Sequence, residues 1–303
     1  MIMKQCTLRK CYSFEGKGLH SGAYAHMYIK PAPVGTGIRF VRTDLGLEIP
    51  AIAENVSSTM RSTTLSCCKA TVRTVEHVLS ALTGLGVDNA FIEIDNKEVP
   101  ILDGSSRMYA DAISADGVEE QDALRDWLEI DEEISVSNGK SGSFVRISPA
   151  DNFSIDLTID FDSKVIGRQT VRWSLGDDYS AEVAPCRTFC FLDEIQLLAM
   201  LGLVKGGDIS NAIVVVDKPV SGRKLERLAR LFDQPKISVT NEGYLNNIDL
   251  HFPDECGRHK LLDIIGDIRL AGGFPKVHVE AYKPGHAINT NAAKLLRKHI
   301  IHG

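Results

Sequence analysis

His259 and Asp263 stand four apart in Arg258-His259-Lys260-Leu261-Leu262-Asp263. On a helix that spacing puts both side chains on one face, a turn apart. A neutral imidazole and a carboxylate so placed can hold a divalent metal from one side. Asp267 continues the same face one turn later, whereas Lys260 is expected to point elsewhere and to need a separate role. Two ligands do not complete a catalytic metal site, so a third must come from another part of the chain.

His77 is the candidate. It stands near the start of a second helical stretch, in which Val78, Leu79, Leu82 and Leu85 are apolar at helical spacing. If the starts of the two helices meet, His77, His259 and Asp263 form a two-histidine, one-carboxylate set. Such a set leaves a coordination position open for water, as in a hydrolytic zinc site. Fe2+ fits the same ligands.

Glu76, next to His77 but not a ligand, can take a proton from that water. A first-turn Glu that only stabilises a helix N-terminus reads the same way. His286, in Lys283-Pro284-Gly285-His286-Ala287, follows a strand in a Gly/Pro loop and can reach into a cleft as an acid or as a cation for an oxyanion. With Asp267 beside it, one tautomer would be held and its pKa raised. His26 and His278 alternate with apolar neighbours on strands and are expected to face away from the core. Cys256, three before His259, would close a metal site as a thiolate and is read as structural.

The positioning elements repeat. The segment Gly18 to Pro33 compares with Gly139 to Pro149, and the strand 37–42 with 153–161. The helix begun by Glu76-His77 compares with the one begun by Arg258-His259. Each ends in glycines and leads into a strand, 90–94 and 276–282. This order predicts an α+β fold of two duplicated two-layer domains, 1–124 and 125–303. The acidic stretch 114–126 reads as the linker, and 5–15 as one short strand. A strand–helix–strand insert is expected at about 186–216, followed by a helix at 222–232. Its apolar residues suit either a lipid-facing wall or a small satellite core.

The totals bound the partners. A net charge of -6 without a Lys/Arg run argues against nucleic acid. No stretch reaches roughly 18 apolar residues, so no spanning helix is expected. The N-terminus lacks a secretory apolar core. Seven cysteines, odd in number and without a CxxC, point to a reducing cytoplasm rather than a disulfide framework.

Taken together, Thr74-Val75-Glu76-His77, Gly84-Leu85-Gly86-Val87-Asp88-Asn89, Pro100-Ile101-Leu102-Asp103-Gly104-Ser105, Arg187-Thr188-Phe189-Cys190-Phe191, Gly202-Leu203-Val204-Lys205-Gly206-Gly207, Arg258 to Asp267 and Gly285-His286 closely resemble the zinc-dependent UDP-3-O-acyl-N-acetylglucosamine deacetylases of lipid A biosynthesis. The likeness runs in register from about residue 4 to 300.

The resemblance implies two similar α+β domains, each with an insert, their helix layers facing and the site at their junction. It implies one zinc per chain (Fe2+ being the other fit) on His77, His259 and Asp263. Glu76 matches the general base, His286 the acid that protonates the leaving amine, Asp267 its partner, and Thr188 an oxyanion donor. Lys260 and Phe189 match sugar contacts, and Leu19, Met60 and Phe191 further substrate contacts. Ile195, Ala199, Val204, Asp208, Ile209, Asn211 and Val214 match an acyl passage, for which Asp208 and Asn211 are more polar than the role wants. The implied substrate is an acylated UDP-sugar, acted on by a cytoplasmic monomer. The long 217–257 segment is similar to the form that some bacteria fuse to a hydroxyacyl-carrier-protein dehydratase. The chain is then either the deacetylase alone or a shortened piece. A metal-dependent amidase acting on another N-acylated sugar or amine is the rival expectation.

Overall fold

The computed structural model describes residues 3–195, 211–232 and 234–301. Two five-stranded sheets carry the fold. In the first half, strands Tyr12–Lys17, Tyr24–Pro31, Ala90–Ile94, Ile38–Arg42 and Leu47–Pro50 lie side by side in that order. In the second half the order is Ile134–Asn138, Ser143–Pro149, Val277–Tyr282, Ser154–Asp160 and Arg168–Ser174. In both sheets the strand that comes last in the chain lies at the centre. It runs antiparallel to one neighbour and parallel to the other. The duplication expected from the order of parts therefore extends to strand direction.

Period-two patterning explains why each sheet has one wet and one dry face. Ala25, Met27 and Ile29 are buried while Tyr24, His26 and Tyr28 are exposed. Ile155, Leu157 and Ile159 do the same in the second half. His26 and His278 lie on the outward faces, as expected, held by Asp95 and Ser154.

The helices Glu76–Gly84 and Glu255–Ile268 cover the dry faces and pack on each other. Every residue from Glu76 to Thr83 is buried. A helix buried all round needs a sheet on one side and a second apolar layer on the other, which the facing helix supplies. Their approach is close. A Cβ on Gly266 would stand 2.1 Å from the Glu76 carbonyl oxygen. Only glycine lets the backbones come this near.

Each half carries an insert. In the first, Val56–Ser58, Thr64–Cys67 and Ala70–Arg73 form a three-stranded sheet whose last strand leads to Glu76. In the second, Phe189–Phe191 pairs in parallel with Ile213–Val215, and helix Gly222–Leu231 follows. Leu192, Ile195, Val214, Val216, Leu228 and Leu245 make a separate, smaller apolar cluster there.

Two expectations need correction. The stretch 114–126 is not a linker: helix Arg107–Asp116 runs into it, and Val118–Leu124 pairs antiparallel with Lys4–Leu8. Low hydrophobicity conceals this strand because backbone bonds and the Gln121 side chain, which binds Asn89 and the Ala32 carbonyl, hold it. Likewise 5–15 is two strands in different sheets, separated at Arg9-Lys10. Among the described residues, no helix is long and apolar enough to cross a membrane.

Candidate metal and catalytic site

The facing helices bring His77, His259 and Asp263 together, all buried, with their ligand atoms within 4.8 Å of one another. Asp263 Oδ1 lies 3.8 Å from His77 Nε2 and 3.6 Å from His259 Nε2. The His77 and His259 rings meet edge to face at 5.2 Å between centroids. The donor set suits a divalent cation on three grounds. Burial drives the His259 imidazole down to about 3, against the upward pull of Asp263, and lowers His77 as well. Both rings are then neutral and have a lone pair to offer. His259 Nδ1 lies 3.1 Å from the Cys186 carbonyl, which makes Nδ1 the protonated nitrogen and leaves Nε2 for a metal. Burial pushes Asp263 up, but the Lys260 ammonium outweighs it and holds the carboxylate ionised.

Lys260 departs from expectation. Its Nζ donates to Asp263 Oδ2 at 2.7 Å and lies 5.4 Å from the centre of the Phe189 ring. The three-residue offset along the helix still lets a long side chain fold back onto the same face. Asp263 thus gives Oδ2 to Lys260 and keeps Oδ1 toward the histidines.

Next to this set lie Glu76 and His286, with His286 Nε2 3.9 Å from Glu76 Oε1. Glu76, Asp263 and His286 form a second close group that could ligate by distance alone. Charge argues against it. Burial works to lower the His286 pKa, but Asp267, Glu76 and Asp263 together raise it to about 9. An imidazolium has no lone pair for a metal. His286 Nδ1 lies 3.0 Å from Asp267 Oδ2, the pairing expected if the two were neighbours. Glu76 is pushed up to about 8, first by burial, with His286 opposing.

The remaining candidates surround this core. Arg187 donates from its backbone and guanidinium to Glu255, which begins the His259 helix. That buried pair holds Cys186, Thr188 and Phe189 against the helix. The Thr188 N–H donates to the Gly104 carbonyl at 2.8 Å, bringing the Pro100–Ser105 loop alongside. Gly104, at φ +84, has no room for a Cβ, which would meet the Asn211 carbonyl oxygen at 1.9 Å. The Phe189 ring lies 6.3 Å from that of His259, and Phe161 joins Phe189 and Phe191 in an aromatic group. Leu19 is half-buried in the loop Gly18–Gly22, which Glu98 ties down through the N–H groups of His20 and Ser21. Met60 is exposed, three residues before Thr63. Ile195 and Val214 lie buried in the smaller apolar cluster. Ala199, Val204, Asp208 and Ile209 lie outside the described residues.

Sequence reading misses Thr63, Asn289, Arg187 and Glu255. Thr63 Oγ1 donates to Asp267 Oδ1 at 2.6 Å, and Asn289 Nδ2 to Asp267 Oδ2 at 3.0 Å. Asn289 follows His286 by three, a helical spacing that puts the two on one face; Thr63 carries no such mark.

The chain matches the model of the LpxC family, UDP-3-O-acyl N-acetylglycosamine deacetylase, over residues 5–232 and 228–298. It is 42% identical over 297 residues to the UDP-3-O-acyl-N-acetylglucosamine deacetylase of Myxococcus xanthus, covering 97% of this chain and 85% of that one. It is 40% identical over 301 residues to the bifunctional enzyme LpxC/FabZ of Porphyromonas gingivalis, covering 99% of this chain. A bifunctional LpxC/FabZ of Chlorobaculum tepidum matches at 40% over 304 residues. The chain spans 65% of the length of these bifunctional relatives. On the extent of these matches, the chain belongs to the family of UDP-3-O-acyl N-acetylglycosamine deacetylases.

Proposed function

We propose that this protein hydrolyses the N-acetyl group of UDP-3-O-(3-hydroxyacyl)-N-acetylglucosamine, releasing acetate and the free 2-amine in the cytoplasm, and that it does so with one Zn2+ on His77, His259 and Asp263. The observation that carries this reading is the junction of a neutral two-histidine, one-carboxylate set with the Glu76–His286 pair, in a chain of this family. Fe2+ would suit the same donors.

A divalent cation there would supply Lewis acidity toward the acetyl carbonyl and acidify water. Glu76 Oε1 takes the proton of the attacking water, while Oε2 stays fixed by the Thr63 N–H at 3.0 Å. An unactivated amide needs its nitrogen protonated to leave, and His286 Nε2 delivers that proton. Asp267 holds Nδ1 and so keeps the other nitrogen aimed at the substrate. Imidazolium His286 and the Thr188 hydroxyl share the oxyanion charge. Lys260 and Phe189 hold the sugar, with Leu19, Met60 and Phe191 around it. The acyl chain runs toward the insert that holds Ile195, Val204, Ile209 and Val214. We place the boundary between the halves at residues 124/125, because Val118–Leu124 closes the first half on Lys4–Leu8 and Trp127–Leu128 pairs with Phe274–Pro275 in the second.

The test is release of the free amine from the acylated UDP-sugar by zinc-loaded protein. Turnover of simple N-acetyl amines but not of this substrate would move the reading to a general amidase.

A further inference from the structure

We propose that Thr63 is a positioning residue that couples the two proton-carrying groups of the site across the two halves of the chain. The inference rests on the reading of Glu76 and His286 given above. Thr63 is fully buried, and each of its polar atoms is in use. Its N–H donates to Glu76 Oε2 at 3.0 Å. Its carbonyl accepts from the Val75 N–H at 3.3 Å. Its hydroxyl donates to Asp267 Oδ1 at 2.6 Å.

The other donors to Asp267 described above, His286 and Asn289, both lie on helix His286–Lys298 of the second half. Among the described residues, the hydrogen bonds to Asp267 from His286 and Asn289 stay within the second half, whereas the one from Thr63 comes from the first, where Glu76 also lies. Thr63 places one donor on each carboxylate, and so bears on the 3.9 Å separation of Glu76 Oε1 and His286 Nε2 through Asp267, which holds His286. Arg61, two residues before Thr63, and Thr74, next to the Val75 N–H that bonds the Thr63 carbonyl, both adopt left-handed backbone, at φ 68 and 59. Such conformations persist only where the surroundings over-determine them.

Thr63→Val keeps the branched shape and the backbone bond to Glu76 and removes only the hydroxyl. In the zinc-loaded enzyme it is expected to lower kcat by about ten- to a hundredfold, the scale of a small misplacement of catalytic groups. KM should stay within about twofold, since the bond reaches no substrate-binding group. Thr63→Ser restores the hydroxyl and is expected to return kcat to within about threefold of wild type. An unchanged kcat in Thr63→Val, or a loss confined to KM, overturns the proposal. So does a Ser variant as slow as the Val variant. If Thr63→Val does not fold, the Ser variant decides: near-wild-type kcat supports the hydroxyl's role, and loss of kcat overturns it. A wild-type protein inactive on the acylated UDP-sugar would instead sink the reading of the site.

Discussion

Gly266 lies against the backbone of Glu76, so close that a Cβ would stand 2.1 Å from the Glu76 carbonyl oxygen and 3.1 Å from its Cα. Asp267, Asp263 and His259 share the helix of Gly266, and His77 follows Glu76. The contact therefore sets how near the two groups of candidate site side chains can come.

Gly266→Ala is expected to push the helices apart. The strain of overpacking is typically ~1–3 kcal/mol, and denaturant unfolding would measure it. Activity should fall by more than stability alone explains, because Glu76 and His77 move relative to Asp263. An alanine variant with wild-type kcat would show that the separation is not critical.

Metal ligation and proton transfer should separate by mutation. His259→Ala or Asp263→Ala is expected to lose zinc and activity together. Glu76→Gln should keep zinc and lose about 10²–10⁴ in kcat. Metal content by mass spectrometry, alongside the assay, distinguishes the two classes. Stoichiometric zinc in His259→Ala would remove it from the ligand set.

Asp267 should control the alkaline limb of the pH–rate profile. His286 sits at about 9 because carboxylates, Asp267 foremost, outweigh its burial. If His286 is the acid proposed above, the imidazolium is its working form, and activity is expected to fall as pH rises through its pKa. In Asp267→Asn that limb is expected to move to lower pH. An alkaline limb unmoved in that variant would detach Asp267 from His286.

The metal-free protein should be most stable near pH 6.5. The folded-state pKa of His286 is raised to about 9, so its contribution is complete below an unfolded value of about 6.5 and is lost as pH climbs through 9. Glu76, raised to about 8, adds loss in the same direction between its ordinary carboxyl range and 8. His259, lowered to about 3, opposes folding increasingly as pH falls below about 6.5. Urea unfolding at several pH values checks this. Asp267→Asn should flatten the alkaline decline.

The sequence by itself determined what is local or repeated. The four-residue spacing of His259 and Asp263 fixes their shared face, because a helix has one periodicity. The order of strands and helices marked both halves of the duplication, and alternation turned His26 and His278 outward. Tertiary structure decided the rest. Thr63 reaches Asp267 across 204 residues, and the Cys186 carbonyl sets the tautomer of His259 across 73. The strand at 118–124 forms only because Lys4–Leu8 lies beside it. Lys260, which spacing alone turned away from the metal face, folds back across three residues to Asp263, with its Nζ over the Phe189 ring. Spacing along a chain fixes which neighbours share a face. Which faces meet depends on how two whole layers pack, and here on the absence of one Cβ at Gly266.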